Sequence, residues 1–485
     1  MKHLIFIVAY NHENFIENVL NRIPESLQEE KYEILIIDDA SIDKTFRIAN
    51  DWSRKNNNIN ITILKNNINY GYGGNQKIGM QYAIKNNFDT LSLLHGDGQY
   101  KPEIIHDLIK YHVKNQASLT LGSRMIHKKN ALKGRMPLYK FFGNIILTKI
   151  QNFILGTNLS EFHTGYRIYS IKTLKKIKFE LNTNNFHFDT EIIIQHIANK
   201  FKISEYPIPT YYGNEISYVN GLNYAFNILR ESFSYSLQTL GIFHKEKYSY
   251  NFENYQDKSY FSSSHSIAIQ QVKKNSSVID LGSSNARYLN FLKHNQQCYL
   301  KTVNKFKHSK NLNIDEEEIV DLDIDLPSKI NKFDYVLLLD VIEHLKNPED
   351  FIKKLFYETK HDQRIIASTG NIAFIVIRFM LLFGYFNYGA RGILDKTHTR
   401  LFTFSSFRRL FSSYYEIDIV KGIPAPFPLA LGNNLFSKIL IKINIFLIYL
   451  SKSMFSYQIL FVLRPKKTLN NILKETLDYS NKIKS

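Results

Sequence analysis

Apolar runs of strand length alternate with amphipathic segments from the first residues of the chain. The runs include IFIVAY, YEILIIDD, NITILK and TLSLLHGD, and intervening segments such as NFIENVLNRI and PEIIHDLIKYHV carry apolar residues at helical spacing. Strands that alternate with helices in this way form parallel sheets with helices on their faces. The pattern therefore predicts an α/β domain over about the first 240 residues.

The apolar pattern stops after this region and then begins again. The intervening segment HKEKYSYNFENYQDKSYFSSSHS is polar, aromatic and rich in serine, which is typical of a linker. After it, SSVIDLGSSNARYLNFLK has the order strand, turn, helix, and FDYVLLLDVIEHL predicts another buried strand. We expect a first domain over 1–243, a linker over 244–265, a second α/β domain over 266–466 and a basic tail over 467–485.

The composition limits which classes of partner and which cellular compartment we expect for this protein. The 485 residues carry a net charge of +18, which favours nucleoside diphosphates, phospholipid head groups or nucleic acid. Nucleic acid is not expected, because no recognition helix or strand motif with basic and aromatic residues stands out. The single cysteine, Cys298, excludes an internal disulfide and indicates a reducing compartment. We therefore predict a cytoplasmic protein.

The two longest apolar stretches fall short of a membrane span. IAFIVIRFMLLFGYF and ILIKINIFLIYL are interrupted by Arg378 and Lys442 and are shorter than the roughly 18–20 residues that a span requires. The N-terminal apolar run lacks a cleavage site, and we interpret it as a buried strand. The C-terminal stretch predicts a helical insertion with its apolar residues in the core, followed by a last strand. Peripheral docking at the inner face of the cell membrane stays open as an alternative.

Polar clusters follow three of the expected strands, at the edge of the sheet where ligands bind in α/β proteins. Asp38 and Asp39 can accept hydrogen bonds from a ribose or a base. Asp97, which stands between two glycines, can hold a divalent cation against phosphate oxygens. Glycines that open the helix after the run NITILK, Gly73 among them, offer backbone N–H groups to an anion. Turns and helix caps need the same residue types, so each cluster alone also has a structural interpretation.

Seven motifs in one order resemble the family 2 glycosyltransferases with the GT-A fold, most closely the branch that includes dolichyl-phosphate mannose synthase. They are AYNHENF, IIDDASIDKT, NYGYGGNQKIGM, LLHGDGQYKPE, LGSRM, EFHTGYRIYS and FHFDTEIII. The resemblance implies that Tyr10, Glu13 and Asp39 contact the nucleotide of a nucleoside-diphosphate sugar. It also implies that Arg124 steadies a phosphate.

The resemblance further implies a divalent cation, Mg²⁺ or Mn²⁺, at a D-x-D motif that includes Asp97. The first acid of that motif is His95 here, and imidazole is a less suitable ligand for Mg²⁺ than a carboxylate. We therefore expect His95 and Asp97 to be the metal ligands, with the choice of metal open.

Members of this family invert the anomeric centre, and this branch implies a polyprenyl-phosphate or glycan acceptor. A hydroxyl acceptor would need a general base, and Asp189, Glu191 and Glu161 are the candidates. A polyprenyl phosphate is already anionic and would need none.

The second half resembles class I S-adenosylmethionine-dependent methyltransferases over about residues 265–465. The motifs are SVIDLGSSNARYL, VDLDIDLP, FDYVLLLDVIEHLKNPEDF, RIIASTGN and THTRLFTFSSFRRLF. The resemblance implies S-adenosyl-L-methionine as a cofactor. The implied contacts are Asp280, Gly282 and Ser284 at its methionine end, Asn304 at its ribose, Asp321 and Leu322 at its adenine, and Asp340 at the floor of the site.

Two departures leave alternatives open in the second half. The usual three glycines read Gly282, Ser284 and Ala286, and Asn304 stands where an acid is expected, which removes roughly 1 kcal/mol of charge-assisted hydrogen bonding. His344 and His398 are candidate bases. Taken together, the two resemblances imply a bifunctional transferase of cell-surface glycan synthesis. The alternatives are a glycosyltransferase with a degenerate or structural second domain, and a scaffold that binds anionic surfaces.

Overall fold

The computed structural model describes residues 1–24, 32–212, 220–241, 244–249, 262–282, 288–307 and 313–467. The chain forms two compact units. The first comprises Met1–Leu237 and Lys245–Asn251, and the second comprises Gln238–His244 and Phe252–Ser485. Each unit contains a seven-stranded mixed sheet, so the α/β class expected from the sequence is confirmed.

The sheet of the first unit has the strand order β3-β2-β1-β4-β6-β5-β7. Only β6 among these strands runs antiparallel to its neighbours, β4 and β5. The strands are β1 His3–Ala9, β2 Tyr32–Asp38, β3 Ile61–Lys65, β4 Thr90–His95, β5 Leu119–Ser123, β6 Arg167–Ser170 and β7 Ile203–Pro207.

Both faces of this sheet are covered. In β1, Leu4 and Phe6 belong to one apolar cluster while Ile5 and Ile7 belong to another, so alternate residues pack on opposite faces. The helices of this unit are α1 Ile16–Asn21, α2 Thr45–Lys55, α3 Tyr72–Lys85, α4 Ile105–Lys114, α5 Lys128–Lys133, α6 Leu138–Leu155, α7 Ile171–Leu174, α8 Phe188–Ala198 and α9 Gly221–Thr239.

The segment expected to be a linker is divided between the two units. Lys245 donates to both carboxylate oxygens of Glu231 at 2.9 Å, and Lys247 lies 2.6 Å from Glu191 and 3.0 Å from Glu231. Both glutamates are buried. The start of this segment therefore neutralises two carboxylates inside the first unit, which its polar sequence did not indicate.

The sheet of the second unit has the order β10-β9-β8-β11-β12-β14-β13, in which β14 runs antiparallel to both of its neighbours. In β11, Val336 and Leu338 pack on one face while Leu337 and Leu339 pack on the other. The strands are β8 Ser277–Leu281, β9 Tyr299–Asn304, β10 Glu316–Ile319, β11 Tyr335–Leu339, β12 Arg364–Gly370, β13 Tyr415–Ile423 and β14 Gln458–Pro465.

The C-terminal apolar stretch forms the expected helical insertion and last strand, but the helix is not in the core. Of the helix α16, Leu435–Leu450, only Ser437, Asn444 and Ile448 are buried. Among the residues that the structure describes, no helix has the length and hydrophobicity of a membrane span. The helices of this unit are α10 Ser264–Ile269, α11 Leu289–Gln296, α12 Pro348–Glu358, α13 Ile375–Leu382, α14 Phe404–Ser412, α15 Phe427–Leu431, α16 Leu435–Leu450 and α17 Lys452–Phe455.

Candidate functional site

The carboxyl ends of β1, β2 and β4 meet at one edge of the first sheet. Ala9 pairs with Asp38, and Val8 pairs with His95. The backbone N–H of Gly96 donates to the Val8 carbonyl at 3.0 Å, and that of Asp39 donates to the Ala9 carbonyl at 2.9 Å. This register places the three polar clusters seen in the sequence side by side.

The loops after β1 and β2 are tied together by hydrogen bonds. Backbone N–H groups of the first loop donate to side chains of the second: Asn11 to Ser41 Oγ at 2.8 Å, His12 to Thr45 Oγ1 at 2.7 Å and Glu13 to Asp43 Oδ2 at 3.0 Å. In return, the Lys44 N–H donates to the Glu13 carboxylate at 3.0 Å. The loops therefore hold Glu13 and the half-buried Tyr10 in fixed positions at the sheet edge.

Asp38 and Asp39 are both buried, and they have different partners. The Ser41 hydroxyl donates to Asp38, whose other oxygen lies 3.5 Å from the Lys65 ammonium. Asp39 accepts hydrogen bonds from the Asn66 side chain at 2.7 Å and from the backbone N–H groups of Tyr70 and Gly71 at 2.9 Å. Asp39 thus fixes the loop that leads into α3.

The glycines at the start of α3 do not offer free N–H groups, which corrects the expectation for Gly73. The Gly73 N–H donates to the Asn184 carbonyl at 2.7 Å, and the Gly71 N–H donates to Asp39. A Cβ on Gly73 would lie 2.5 Å from the Thr183 carbonyl oxygen and 2.7 Å from the Phe188 Cβ. Glycine is needed at position 73 because another part of the backbone packs directly against it.

His12, His95 and Asp97 interact electrostatically at the end of β4. Burial lowers the pKa of both histidines, against the opposing effect of the Asp97 charge. A Cβ on Gly96 would lie 2.8 Å from His12 Nδ1, so the absence of a side chain at position 96 leaves room for the His12 ring. His12 Nδ1 is buried and has no hydrogen-bond partner in the described part of the chain. Asp97 is half-buried and accepts from the Gln99 N–H at 3.0 Å.

A tyrosine joins His95 to Asp189. The Tyr72 hydroxyl lies 3.0 Å from Asp189 Oδ2 and 3.2 Å from His95 Nε2. An ionised carboxylate can only accept, so the single hydroxyl hydrogen goes to Asp189, and His95 donates through Nε2. This assignment leaves the lone pair of His95 on Nδ1, and the lowered pKa keeps the ring neutral.

These residues fit a cation that is completed by its substrate. A neutral imidazole with a lone pair on Nδ1 and the Asp97 carboxylate are both metal ligands. No three His, Cys, Asp or Glu side chains within the described ranges form a complete metal site. A cation at His95 and Asp97 would therefore need further oxygen ligands from a diphosphate and water.

Arg124, which is expected to steady a phosphate, forms several hydrogen bonds inside the protein. Its guanidinium pairs with the fully buried Glu161, with Nε 3.0 Å from Oε1, and it also donates to the Tyr212 hydroxyl at 3.1 Å and to the His163 carbonyl at 2.9 Å. Glu161 also accepts from the Asn144 amide at 2.8 Å. Most of the guanidinium N–H groups and the charge of Arg124 are used inside the protein.

The same pair argues against Glu161 as a general base. Burial alone would raise the pKa of Glu161, but the Arg124 guanidinium and the hydrogen bonds to the carboxylate hold it below its usual value. A carboxylate stabilised in its ionised form is a weak proton acceptor.

The other two candidate bases lie on α8 and have separate environments. Asp189 accepts from Tyr72 and from Gln76 at 3.2 Å, so it belongs to the network that contains His95. Glu191 is buried, pairs with Lys247 and accepts from the Thr183 N–H at 2.7 Å. The structure therefore brings Asp189 together with the site residues and does not bring Glu191 to them.

Sequence reasoning missed three residues of this network: His12, Tyr72 and Arg167. Arg167 is fully buried, donates to the Asp189 carbonyl at 2.8 Å and lies 3.5 Å from its carboxylate. His12 and Tyr72 stand inside motifs already singled out, which was the available signal. Their contacts depend on how α3, α8 and β6 pack, and a single sequence does not give that packing.

In the second unit, two of the expected cofactor residues frame the turn after β8. Asp280 is buried and accepts from the Tyr288 hydroxyl. Gly282 has φ +83°, and a Cβ there would lie 2.8 Å from the Val341 side chain, so both conformation and space require glycine. Ser284 and Ala286 lie outside the described residues.

The residues expected at the ribose and adenine follow the neighbouring strands. Asn304 is the last residue of β9 and is largely buried. Asp321 follows β10 and pairs with Lys305 at 2.7 Å, while Leu322 packs against the apolar core. Asp280, Asn304 and Asp321 thus all lie at the carboxyl ends of adjacent strands, where α/β sheets bind ligands.

Asp340 joins several elements at the end of β11. It has φ +56° and accepts hydrogen bonds from Ser368 at 2.7 Å, Gln458 at 2.9 Å and Ser264 at 3.3 Å. Burial, reinforced by the Asp340 charge, raises the pKa of the neighbouring Glu343 to about 8. The Glu343 carboxyl group is therefore harder to ionise than that of an exposed glutamate.

The two histidines proposed as bases lie together in this region. The rings of His344 and His398 are 4.8 Å apart, edge to face. Nδ1 of His398 lies 3.0 Å from the Ile393 carbonyl, and burial lowers the pKa of this histidine. When the neutral His398 ring donates through Nδ1 to this carbonyl, its Nε2 has a lone pair that can accept a proton.

Comparisons with family models match both units. Residues 4–178 match the model described as glycosyl transferase family 2. Residues 263–387 match the model described as methionine biosynthesis protein MetW.

Two curated relatives are similar to somewhat less than half of this chain. The UDP-N-acetylglucosamine–dolichyl-phosphate N-acetylglucosaminyltransferase of Methanococcus voltae is 31% identical over 230 residues, which cover 45% of this chain and 89% of that protein. The undecaprenyl-phosphate mannosyltransferase of Micrococcus luteus is 25% identical over 214 residues, which cover 43% of this chain and 83% of that protein.

Proposed function

Because this chain belongs to glycosyl transferase family 2 through its first unit, we propose that it transfers a sugar from a nucleoside diphosphate to a polyprenyl phosphate. The observation that carries the choice of acceptor is the pair of relatives, both of which are named for transfer to a dolichyl or undecaprenyl phosphate. The proposal places the activity at the cytoplasmic face of a membrane that holds such lipids.

The donor would bind at the carboxyl ends of β1, β2 and β4. In this proposal, the loops that carry Tyr10 and Glu13 contact the nucleoside, together with Asp38 and Asp39. The diphosphate would lie near Asp97. A divalent cation held by Asp97 and His95 would supply charge neutralisation to the departing diphosphate.

The acceptor chemistry agrees with the environments of the carboxylates. A phosphate oxygen of the acceptor forms the new bond to the anomeric carbon, and the bond from that carbon to the nucleoside diphosphate breaks with inversion. An anionic phosphate oxygen carries no proton to remove, so the reaction needs no general base. The full engagement of Glu161 by Arg124 and of Glu191 by Lys247 is compatible with such a reaction.

The test is a matched acceptor assay. The purified chain is incubated with UDP-N-acetylglucosamine, UDP-glucose or GDP-mannose, with Mg²⁺ or Mn²⁺, and with a short polyprenyl phosphate or the corresponding polyprenol. Mass spectrometry is expected to detect a glycosylated phosphate product and none from the polyprenol. Transfer to the polyprenol, or no transfer to either lipid from any donor, would overturn the proposal.

For the second unit, we propose S-adenosyl-L-methionine binding and methyl transfer to a product of the same pathway. The family-model match and the placement of Asp280, Gly282 and Asn304 support this assignment. Calorimetric titration with S-adenosylhomocysteine tests it. Binding at micromolar concentration is expected, whereas absence of heat at millimolar ligand would favour a structural second unit.

A further inference from the structure

The helix α16 exposes its apolar residues to solvent. Its buried face is a narrow stripe of Ser437, Asn444 and Ile448. Eight large apolar residues are between 44% and 85% exposed: Leu435, Phe436, Ile439, Ile443, Ile445, Phe446, Tyr449 and Leu450. The surface of a soluble protein rarely exposes so many large apolar residues on one helix without a partner.

Specific hydrogen bonds hold the helix in this orientation. Asn434 and Ser437 form a capping box at its start. Asn444 accepts from the Ala425 N–H at 2.8 Å and donates to the Phe455 carbonyl at 2.9 Å. Rotation of the helix to bury its apolar face would break these bonds and expose the two backbone groups. The outward position of the apolar side chains is therefore built into the second unit.

The charges on and around this face select one class of partner. Lys438 and Lys442 are exposed among the apolar residues, one helical turn apart. No aspartate or glutamate occurs between residues 419 and 474 of the sequence, a stretch that contains eight lysines and arginines. A lysine can place its alkyl stem along an apolar surface while its ammonium reaches an anionic head group.

We propose that α16 lies in the interface of an anionic phospholipid membrane, with its axis along the surface. Its 16 residues extend about 24 Å, less than the roughly 30 Å of a bilayer core, and the lysines interrupt its apolar face. An interfacial helix buries one apolar face among the acyl chains and keeps its cations at the head groups. The proposal does not depend on the glycosyl transfer proposed above.

The test is flotation of the full chain with vesicles, without donor or acceptor. Vesicles of phosphatidylcholine are compared with vesicles that contain about one third phosphatidylglycerol. We expect binding to the anionic vesicles. The variant Ile439→Ser/Ile443→Ser/Phe446→Ser is expected to lower the partition coefficient at least tenfold. The matched control removes three apolar residues of the same unit that are even more exposed, Phe306→Ser/Ile324→Ser/Tyr357→Ser, and is expected to bind like the unchanged chain.

Two milder variants keep the test independent of folding. Lys438→Gln/Lys442→Gln is expected to weaken binding to anionic vesicles severalfold. Phe446→Trp is expected to show a blue shift of fluorescence when vesicles are added. Lack of binding by the unchanged chain, equal binding by the triple α16 variant, or no blue shift would overturn the proposal. So would dimerisation without lipid that the triple α16 variant abolishes, because a second copy would then cover the face.

Discussion

Tyr72 and Asp189 are joined by a hydrogen bond of 3.0 Å, although 117 positions separate them in the chain. The bond connects α3 to α8 and, through the same hydroxyl oxygen, reaches His95 at the end of β4. Three elements that meet only in the folded unit therefore share one hydroxyl group. The position and tautomer of His95 depend on it.

Tyr72→Phe is expected to lower both stability and sugar transfer. The substitution removes the hydrogen-bond partner of His95 Nε2 and one of the donors to Asp189, which keeps its contacts with Gln76 and Arg167. We expect a loss of about 1–3 kcal/mol. Urea unfolding followed by fluorescence of Trp52, the single tryptophan, measures the stability of the first unit. Tyr70→Phe, which removes an exposed hydrogen bond to Asn67, is the control and should change the free energy of unfolding by less than about 0.5 kcal/mol.

Asp97→Asn is expected to reduce the rate of sugar transfer at least about 100-fold while the fold is kept. The change retains the size of the side chain and removes the charge that would bind a cation at the diphosphate. The readout is kcat for release of the nucleoside diphosphate. Asp107→Asn changes an exposed aspartate on α4 and should retain full activity. An unchanged kcat in the Asp97 variant would show that the catalytic site does not lie at the end of β4.

Glu161→Gln is expected to destabilise the first unit by about 3–5 kcal/mol, because it leaves the buried Arg124 guanidinium without its counter-ion. The comparison is Glu103→Gln, which breaks the exposed pair with Arg22 at 2.8 Å and should have an effect below about 1 kcal/mol. Urea unfolding of the two variants measures the difference. A similar loss of unfolding free energy in both variants would show that other groups compensate the charge of Arg124.

The first unit is expected to lose stability between about pH 6.5 and pH 4. Burial lowers the pKa of His112, His163 and His196 to about 4 in the folded state. Within this window the unfolded chain binds protons that the folded unit does not, so acid favours unfolding by about 1.4 kcal/mol per pH unit for each histidine. Stability is unaffected by these groups above that range.

The histidine contribution is checked with His112→Gln. This variant should reduce the slope of unfolding free energy against pH by about one proton, whereas His127→Gln, at an exposed position, should leave the slope unchanged. Equal slopes in all three proteins would show that His112 is protonated in the folded unit.

Asn304→Asp is expected to tighten binding of S-adenosylhomocysteine about fivefold. A carboxylate at the end of β9 would make a charge-assisted hydrogen bond to a ribose hydroxyl, worth roughly 1 kcal/mol more than the amide. Calorimetric titration gives the dissociation constant. Asn313→Asp adds the same charge at an exposed position and controls for net charge. An unchanged or weaker affinity in the Asn304 variant would remove this residue from the ribose site.

The alternation of apolar and polar segments was sufficient to predict both sheets and the edges at which Asp39, Asp97 and Asp280 lie. Strand ends are local features of a sequence, because a buried run ends where polar residues begin. The partners of a buried residue, in contrast, are not determined by the neighbouring sequence. Gly73 is packed against residues 183–184, and the cation beside Glu191 comes from a segment that had the composition of a linker.

The environment of α16 was the largest error of sequence reasoning. Its apolar composition predicted a core helix, but the three residues that face inward include a serine and an asparagine. Hydrophobicity alone does not tell which face of a helix a domain covers. That depends on the backbone groups of Ala425 and Phe455, which Asn444 satisfies.

The division of residues 238–251 between the units determines where this gene can be cut. A fragment that ends at residue 243 would contain the whole first sheet but not Lys245 and Lys247. Glu191 would then be a buried charge without its lysine, and Glu231 would keep only the exposed Arg230, at 3.6 Å. A glycosyltransferase fragment intended for expression should therefore extend through residue 251, and swapping the second unit for another enzyme should leave those residues in place.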